Sequence, residues 1–187
     1  MHFIATIAGI TLLEAIRNRL LWLAAVVIGA ALGLAQFLNQ VAITESLQIQ
    51  IALLAALLRV AAVFIVATFI ITSMVREAND KVTELMLSQP APRSGYFLGK
   101  FGGYGVAAAL LALAFALPLA FFAPLPGVIA WAASLICELL IVASVSLFCV
   151  VSLTQVLSAF AATAGFYLLS RSMAAMQIIA GASVTGE

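Results

Sequence analysis

Ionisable side chains are the scarcest class in this sequence: only 8% of its 187 residues are Asp, Glu, Lys or Arg. A soluble domain of this length carries roughly 25%. So few charges cannot cover a surface that faces water, which excludes a water-soluble globule. The balance of charge is nearly even, at +1, which supports no nucleic-acid reading. Histidine occurs once, as His2, and cysteine twice, as Cys137 and Cys149. That is too small a donor set for a metal site. The two cysteines fall on different sides of one helix at about 100° per residue, so they are read as unbridged, small buried hydrophobes. No Gly-x-x-x-x-Gly-Lys-[Ser/Thr] run is present, and Gly95–Lys100 is not one. The chain therefore lacks its own phosphate cradle. With its only histidine, His2, at the terminus it also lacks the constellation of a membrane-embedded hydrolase, and it is read as no enzyme by itself.

What the sequence has in abundance is apolar length. Hydrophobic residues make up 66% of the chain, and the mean hydropathy is +1.26. A helical membrane span needs about 20 such residues. Five stretches qualify, at about 20–38, 49–75, 101–123, 128–153 and 156–179. The expected fold is all-α: a single polytopic membrane domain over residues 1–187, with no sixth span. Only Ser152, Thr154, Gln155 and Ser158 separate the last two spans, so they should form a tight helical hairpin. Pro124-Leu125-Pro126-Gly127 is read as the turn between the third and fourth. Pro118 is expected to bend the third near its end.

Ahead of the first span, Phe3, Ile7, Ile10 and Leu13 recur at helical spacing, followed by Glu14, Arg17 and Arg19. Residues about 2–17 suit a helix lying in the membrane interface; the other reading is the start of one long first span. Arg17 and Arg19, then Arg76, Lys81, Arg93 and Lys100, mark the cytoplasmic side, which puts the N-terminus inside and the C-terminus outside. The 39–48 loop and the Pro124–Gly127 turn hold no Lys or Arg.

Residues 76–100 hold four of the eight basic residues and three of the seven acidic ones. Glu77 and Lys81 are spaced to support a helix. Val82, Leu85 and Met86 share a face, with Asp80 and Glu84 off it. Pro90 and Pro92 stop that helix, and Ser94 can cap the next. An amphipathic helix of this kind can dock on a soluble partner or rest on headgroups.

This segment resembles the loop between the second and third spans of type-2 ABC transporter permeases (the ABC-2 family). The family pattern is an acidic residue after span 2, a Thr-Leu-Glu-Leu-Leu-like helix, a proline, a basic residue, and aromatic-x-x-Gly-Lys leading into span 3. Here it reads Glu77, Thr83-Glu84-Leu85-Met86-Leu87, Pro90, Arg93 and Tyr96-Phe97-Leu98-Gly99-Lys100. Val82 stands where the family usually has glycine, and the chain supplies five spans where the family normally has six. The resemblance implies an exporter permease with an elbow-like N-terminal helix, set in a bacterial inner membrane. It implies that Glu77, Asp80, Lys81, Thr83, Glu84, Leu85, Met86, Pro90 and Arg93 couple it to a separate ATP-binding subunit. That partner would hold the ATP and magnesium, this chain binding no cofactor, and a second permease copy would complete the path. The same loop also suits a non-transporting assembly or regulatory subunit.

Gln36, Arg59, Glu138 and Arg171 are read as one polar layer inside the spans. At about 1.5 Å per residue, Arg59, Glu138 and Arg171 sit roughly 24, 22 and 20 Å from the cytoplasmic ends of their spans. Gln36 is at a similar height. Glu138 should pair with Arg59 or Arg171 as part of an outer gate or path. In the other reading the arginines snorkel to the headgroups and Glu138 is a packing residue. Gly29 with Gly33, and Gly102, Gly103 and Gly105, are candidates for close helix packing.

Overall fold

In the computed structural model, residues 2–17, 20–41, 46–80, 93–153 and 155–184 are described. All of their regular structure is helical. The elements are α1 (His2–Arg17), α2 (Leu20–Val41), α3 (Ser46–Asn79), α4 (Arg93–Ala120), α5 (Leu125–Leu153) and α6 (Val156–Val184).

Three stretches are long and apolar enough to cross a membrane: Gln50–Asn79 in α3, Ser94–Ala120 in α4 and Leu125–Leu153, the whole of α5. α1 and α2 are inclined by 52° and would add a fourth span if they form one bent unit. α1 is therefore no straight extension of α2. α6 falls outside this set over its described residues, because Arg171 and the hydroxyls of Ser158, Thr163, Ser170 and Ser172 lower its hydropathy.

The core runs along the α3–α4–α5 seams, where Leu58, Ile70, Ile71, Phe115, Leu135 and Leu139 are buried. Phe69 meets Tyr104 edge to face at 5.7 Å, and Phe64 meets Phe160 in the same way at 5.4 Å. Many large apolar side chains point outward, among them Trp22, Phe121, Phe148, Leu157 and Leu168. In water such a surface would drive association; in lipid it is the expected exterior.

The helix ends differ from the sequence reading in two places. α4 stops at Ala120, three residues short of the expected span end, because a turn begins within three residues of Pro118. The carbonyls of Pro118 and Leu119 accept from Phe121, Phe122 and Ala123. The next helix then begins at Leu125, inside the expected Pro124–Gly127 turn. Pro126 sits in its first turn, where a missing N–H costs nothing. The Pro124 carbonyl accepts from Gly127 and Val128 at 3.0 and 3.2 Å. The tight α5–α6 hairpin is as expected, with only residues 154 and 155 between the helices.

Glycine packing is split. A Cβ on Gly29 or Gly33 would meet nothing within 4 Å, so the expected close approach there is absent among the described residues; Ala24 and Ala31 make the inward face of α2 instead. On Gly103 the same atom would lie 2.6 Å from Thr11 Cβ and 2.9 Å from the Ala8 carbonyl oxygen. Gly103 is thus where α1 rests on α4. Ile7, Thr11 and Ala15, four apart, form the buried stripe of α1. The cysteines also depart from expectation. Cys137 is exposed and Cys149 only half-buried, because both sit off the inward face of α5.

Candidate functional site

Two polar clusters stand out, one at the α3–α4 connection and one about midway along α3, α5 and α6. The first lies at the end of α3 and the start of α4, around the connection between them. On α3, Ser73 and Glu77 are one turn apart, with Arg76 between. On α4, Tyr96, Lys100 and Tyr104 repeat every four residues and form one stripe. The α4 stripe is buried throughout, Lys100 to 5% exposure.

A lysine this deep needs a counter-charge, and Glu77 supplies it. One carboxylate oxygen of Glu77 pairs with the Lys100 ammonium, and the other accepts the Tyr96 hydroxyl at 2.9 Å. The ammonium also lies 5.8 Å from the centre of the Tyr104 ring, a cation–π distance. Arg76 points to α1 instead, pairing with Glu14 at 2.8 Å. The same Glu14 oxygen accepts the Ser73 hydroxyl at 2.8 Å, and Ser73 in turn accepts from Tyr104 at 3.3 Å. A continuous polar chain therefore joins α1, α3 and α4.

Of the loop residues singled out in the sequence, Glu77 belongs to the last turn of α3 and its partner is Lys100 across the clasp. Asp80 is exposed, and its amide donates to the Arg76 carbonyl at 2.9 Å. Arg93 opens α4, so Ser94 lies inside the first turn of that helix. Lys81, Thr83, Glu84, Leu85, Met86 and Pro90 lie outside the described residues. Glu14, Ser73 and Tyr104 were not read as site residues. Their signal was an acid at the end of α1 together with a polar i, i+3 pair, Ser73 and Arg76, on α3.

The second cluster is built on α3, α5 and α6. Arg59 Nε lies 3.4 Å from Glu138 Oε2. The Arg59 guanidinium also donates to Ser134 Oγ at 3.4 Å and stands 5.8 Å from the Trp131 ring centre. Tyr167 of α6 stands beside Glu138 in one cavity. Arg171 lines the same cavity as Glu138 and Tyr167, but it does not make the ion pair. Gln36 is exposed and bonds to none of these groups among the described residues. The expected pairing thus resolves to Arg59, and three of the four layer residues come together. Trp131, Ser134 and Tyr167 complete the cluster.

No protein-family model matches the sequence, and no curated protein matches it. Among the described residues no group of His, Cys, Asp and Glu could hold a metal ion.

Glu138→Gln removes the charge that faces Arg59 and leaves Ser134 and Trp131. A charge-assisted hydrogen bond contributes about 1.5–3 kcal/mol, and the 3.4 Å separation puts this one at the low end. We expect a fall in thermal midpoint of a few degrees in detergent, measured by the unfolding of the purified protein. An unchanged midpoint would show that the pair contributes nothing.

Proposed function

We propose that this chain is the membrane-spanning permease subunit of an ATP-driven transporter of the ABC-2 type, working as an exporter. In this reading α2 to α6 are its five spans and α1 is an interfacial elbow. The α1 N-terminus and the 76–100 segment face the cytoplasm, in a cell inner membrane. A second permease copy completes the path. A separate subunit binds and hydrolyses ATP and docks on the segment between α3 and α4.

The observation that supports this reading is the clasp of Glu77, Tyr96 and Lys100. These are the residues through which the loop resembles the ABC-2 pattern, and they are 19 and 23 positions apart in the chain. Drawn together, they fix the two ends of the connecting segment on one rigid base. The same base is tied to α1 through Glu14, Ser73 and Arg76. A push on the segment would then reach three helices at once. A flexible tether would not transmit it.

The test is to purify the chain from its native membrane in mild detergent and identify any ATPase that travels with it. Glu84→Arg and Leu85→Asp are then introduced into the connecting segment and the pair is reconstituted. We expect an associated ATP-binding protein, and at least a tenfold loss of permease-stimulated ATP hydrolysis in each variant. Absence of such a protein, or full stimulation in both variants, overturns the reading. A non-ATPase partner lost in both variants would instead identify an assembly or regulatory subunit.

A further inference from the structure

We propose that the cavity between α5 and α6 binds the anionic head group of an amphiphile, with the Arg171 guanidinium as its counter-charge. The cavity measures about 300 Å³, at the small end for ligand sites. It fits a head group, not a whole lipid. Its polar lining comes from Ser134, Glu138, Tyr167, Ser170 and Arg171, and its apolar lining includes Ile141, Val142 and Phe166.

The charges decide which head group fits. Glu138 is committed: it pairs with Arg59 at 3.4 Å. Arg59, Glu138 and Arg171 together leave one positive charge, and it belongs to Arg171. That guanidinium makes no hydrogen bond or ion pair among the described residues. Arginine carries five N–H donors in a planar fork that matches a phosphate or carboxylate with two parallel hydrogen bonds. Arg171 stands halfway along α6 and is exposed, and an ionised group that faces lipid there is costly without a partner. A bound anion removes that cost, with Ser170 as a neighbouring hydroxyl.

The apolar lining specifies the rest of the ligand. Ile141 is 55% exposed on the outer surface of α5, so an alkyl chain attached to the anion can leave the cavity along that surface into lipid. The shared chemistry is therefore a phosphate or carboxylate carried on an apolar chain. This inference goes beyond the transport reading and does not need it, since binding is measured without any ATP-binding protein.

The test uses the full chain with Trp22→Phe, an exposed position, which leaves Trp131 as the single tryptophan. The protein is placed in phosphatidylcholine nanodiscs, and Trp131 quenching is followed while phosphatidic acid with brominated acyl chains is titrated in. Equally brominated phosphatidylcholine is the reference. We expect saturable quenching by phosphatidic acid at a mole fraction at least tenfold lower than the reference. Arg171→Gln should abolish that preference and Arg171→Lys should retain most of it, with the thermal midpoint unchanged in both. Displacement by millimolar inorganic phosphate would identify a free anion as the source of the same chemistry; resistance to displacement would identify the anchored head group. Equal quenching by the two lipids overturns the proposal. So does a preference that survives Arg171→Gln.

Discussion

Glu77→Gln lowers the thermal midpoint of the purified protein by far more than an ordinary surface change, and adding Lys100→Met to it recovers most of the loss. The reason is the depth of Lys100, whose side chain is 6% exposed, against 14% for Glu77. Removing one partner of a buried ion pair leaves an uncompensated charge and costs about 3–5 kcal/mol. The Tyr104 ring, at 5.8 Å, offsets about 0.5–2 kcal/mol of this through cation–π attraction. It cannot replace a carboxylate. The Tyr96 hydroxyl would keep an acceptor in the glutamine, so the loss is specific to the lysine. Replacing both charged partners removes the penalty, because a buried pair exchanged for apolar groups of similar volume is often neutral or stabilising. Glu77→Gln, Lys100→Met and the double variant, melted in the same detergent, give the coupling directly. Additive losses would show that the two side chains do not act as a pair.

The same comparison separates fold from function. The double variant restores stability but leaves the α3–α4 segment without its ionic base. If that base serves only to hold the helices, partner docking survives in the double variant. If it positions the segment, docking stays weak while the midpoint recovers.

Three of the five expected spans were legible because a helix in lipid must be apolar over its whole length, and that property is local. The Arg59–Glu138 pair was legible for a related reason: helical rise converts residue number to height, and two opposite charges at one height inside lipid seek each other. Height says nothing about rotation, so the choice between Arg59 and Arg171 needed the packed helices. Glu14, Ser73 and Tyr104 stayed hidden because their bonds cross 59 and 31 positions of sequence, and none is unusual in its own neighbourhood. Lys100 was read as a cytoplasmic basic residue closing the Tyr96–Lys100 motif and not as a buried one, although the tyrosines four residues on either side already marked a buried stripe. The glycines show the limit of motif reading. Gly29 and Gly33 have the familiar spacing, but a Cβ on either would meet nothing within 4 Å among the described residues. Gly103 has the same spacing, with Gly99, and it is the position that α1 requires to be small.

Gly103→Val should undock α1. A Cβ at this position would lie 2.6 Å from the Thr11 Cβ and 2.9 Å from the Ala8 carbonyl oxygen. The first neighbour is a side chain held in place by its own bond, the Thr11 hydroxyl donating to the Ile7 carbonyl at 2.9 Å. The second is backbone, which cannot turn aside. The two further methyl groups of valine add bulk at a point where the Cβ alone already overlaps α1. Overpacking of this kind costs about 1–3 kcal/mol when a core can adjust. Here the cheapest adjustment is for α1 to lift, since it is held mainly by this contact and by Glu14. Lifting α1 also pulls Glu14 away from Ser73 and Arg76, so the steric and ionic losses add. In a membrane, helix association rests on such close packing, since lipid supplies no hydrophobic drive between helices. The measurement is trypsin cleavage at Arg17, at the end of α1, in detergent. Cleavage is expected to accelerate at least tenfold in Gly103→Val and to change little in Gly29→Val, where the added side chain meets open space. Similar rates in the two variants would mean that α1 is held by its link to α2 and not by its seat on α4.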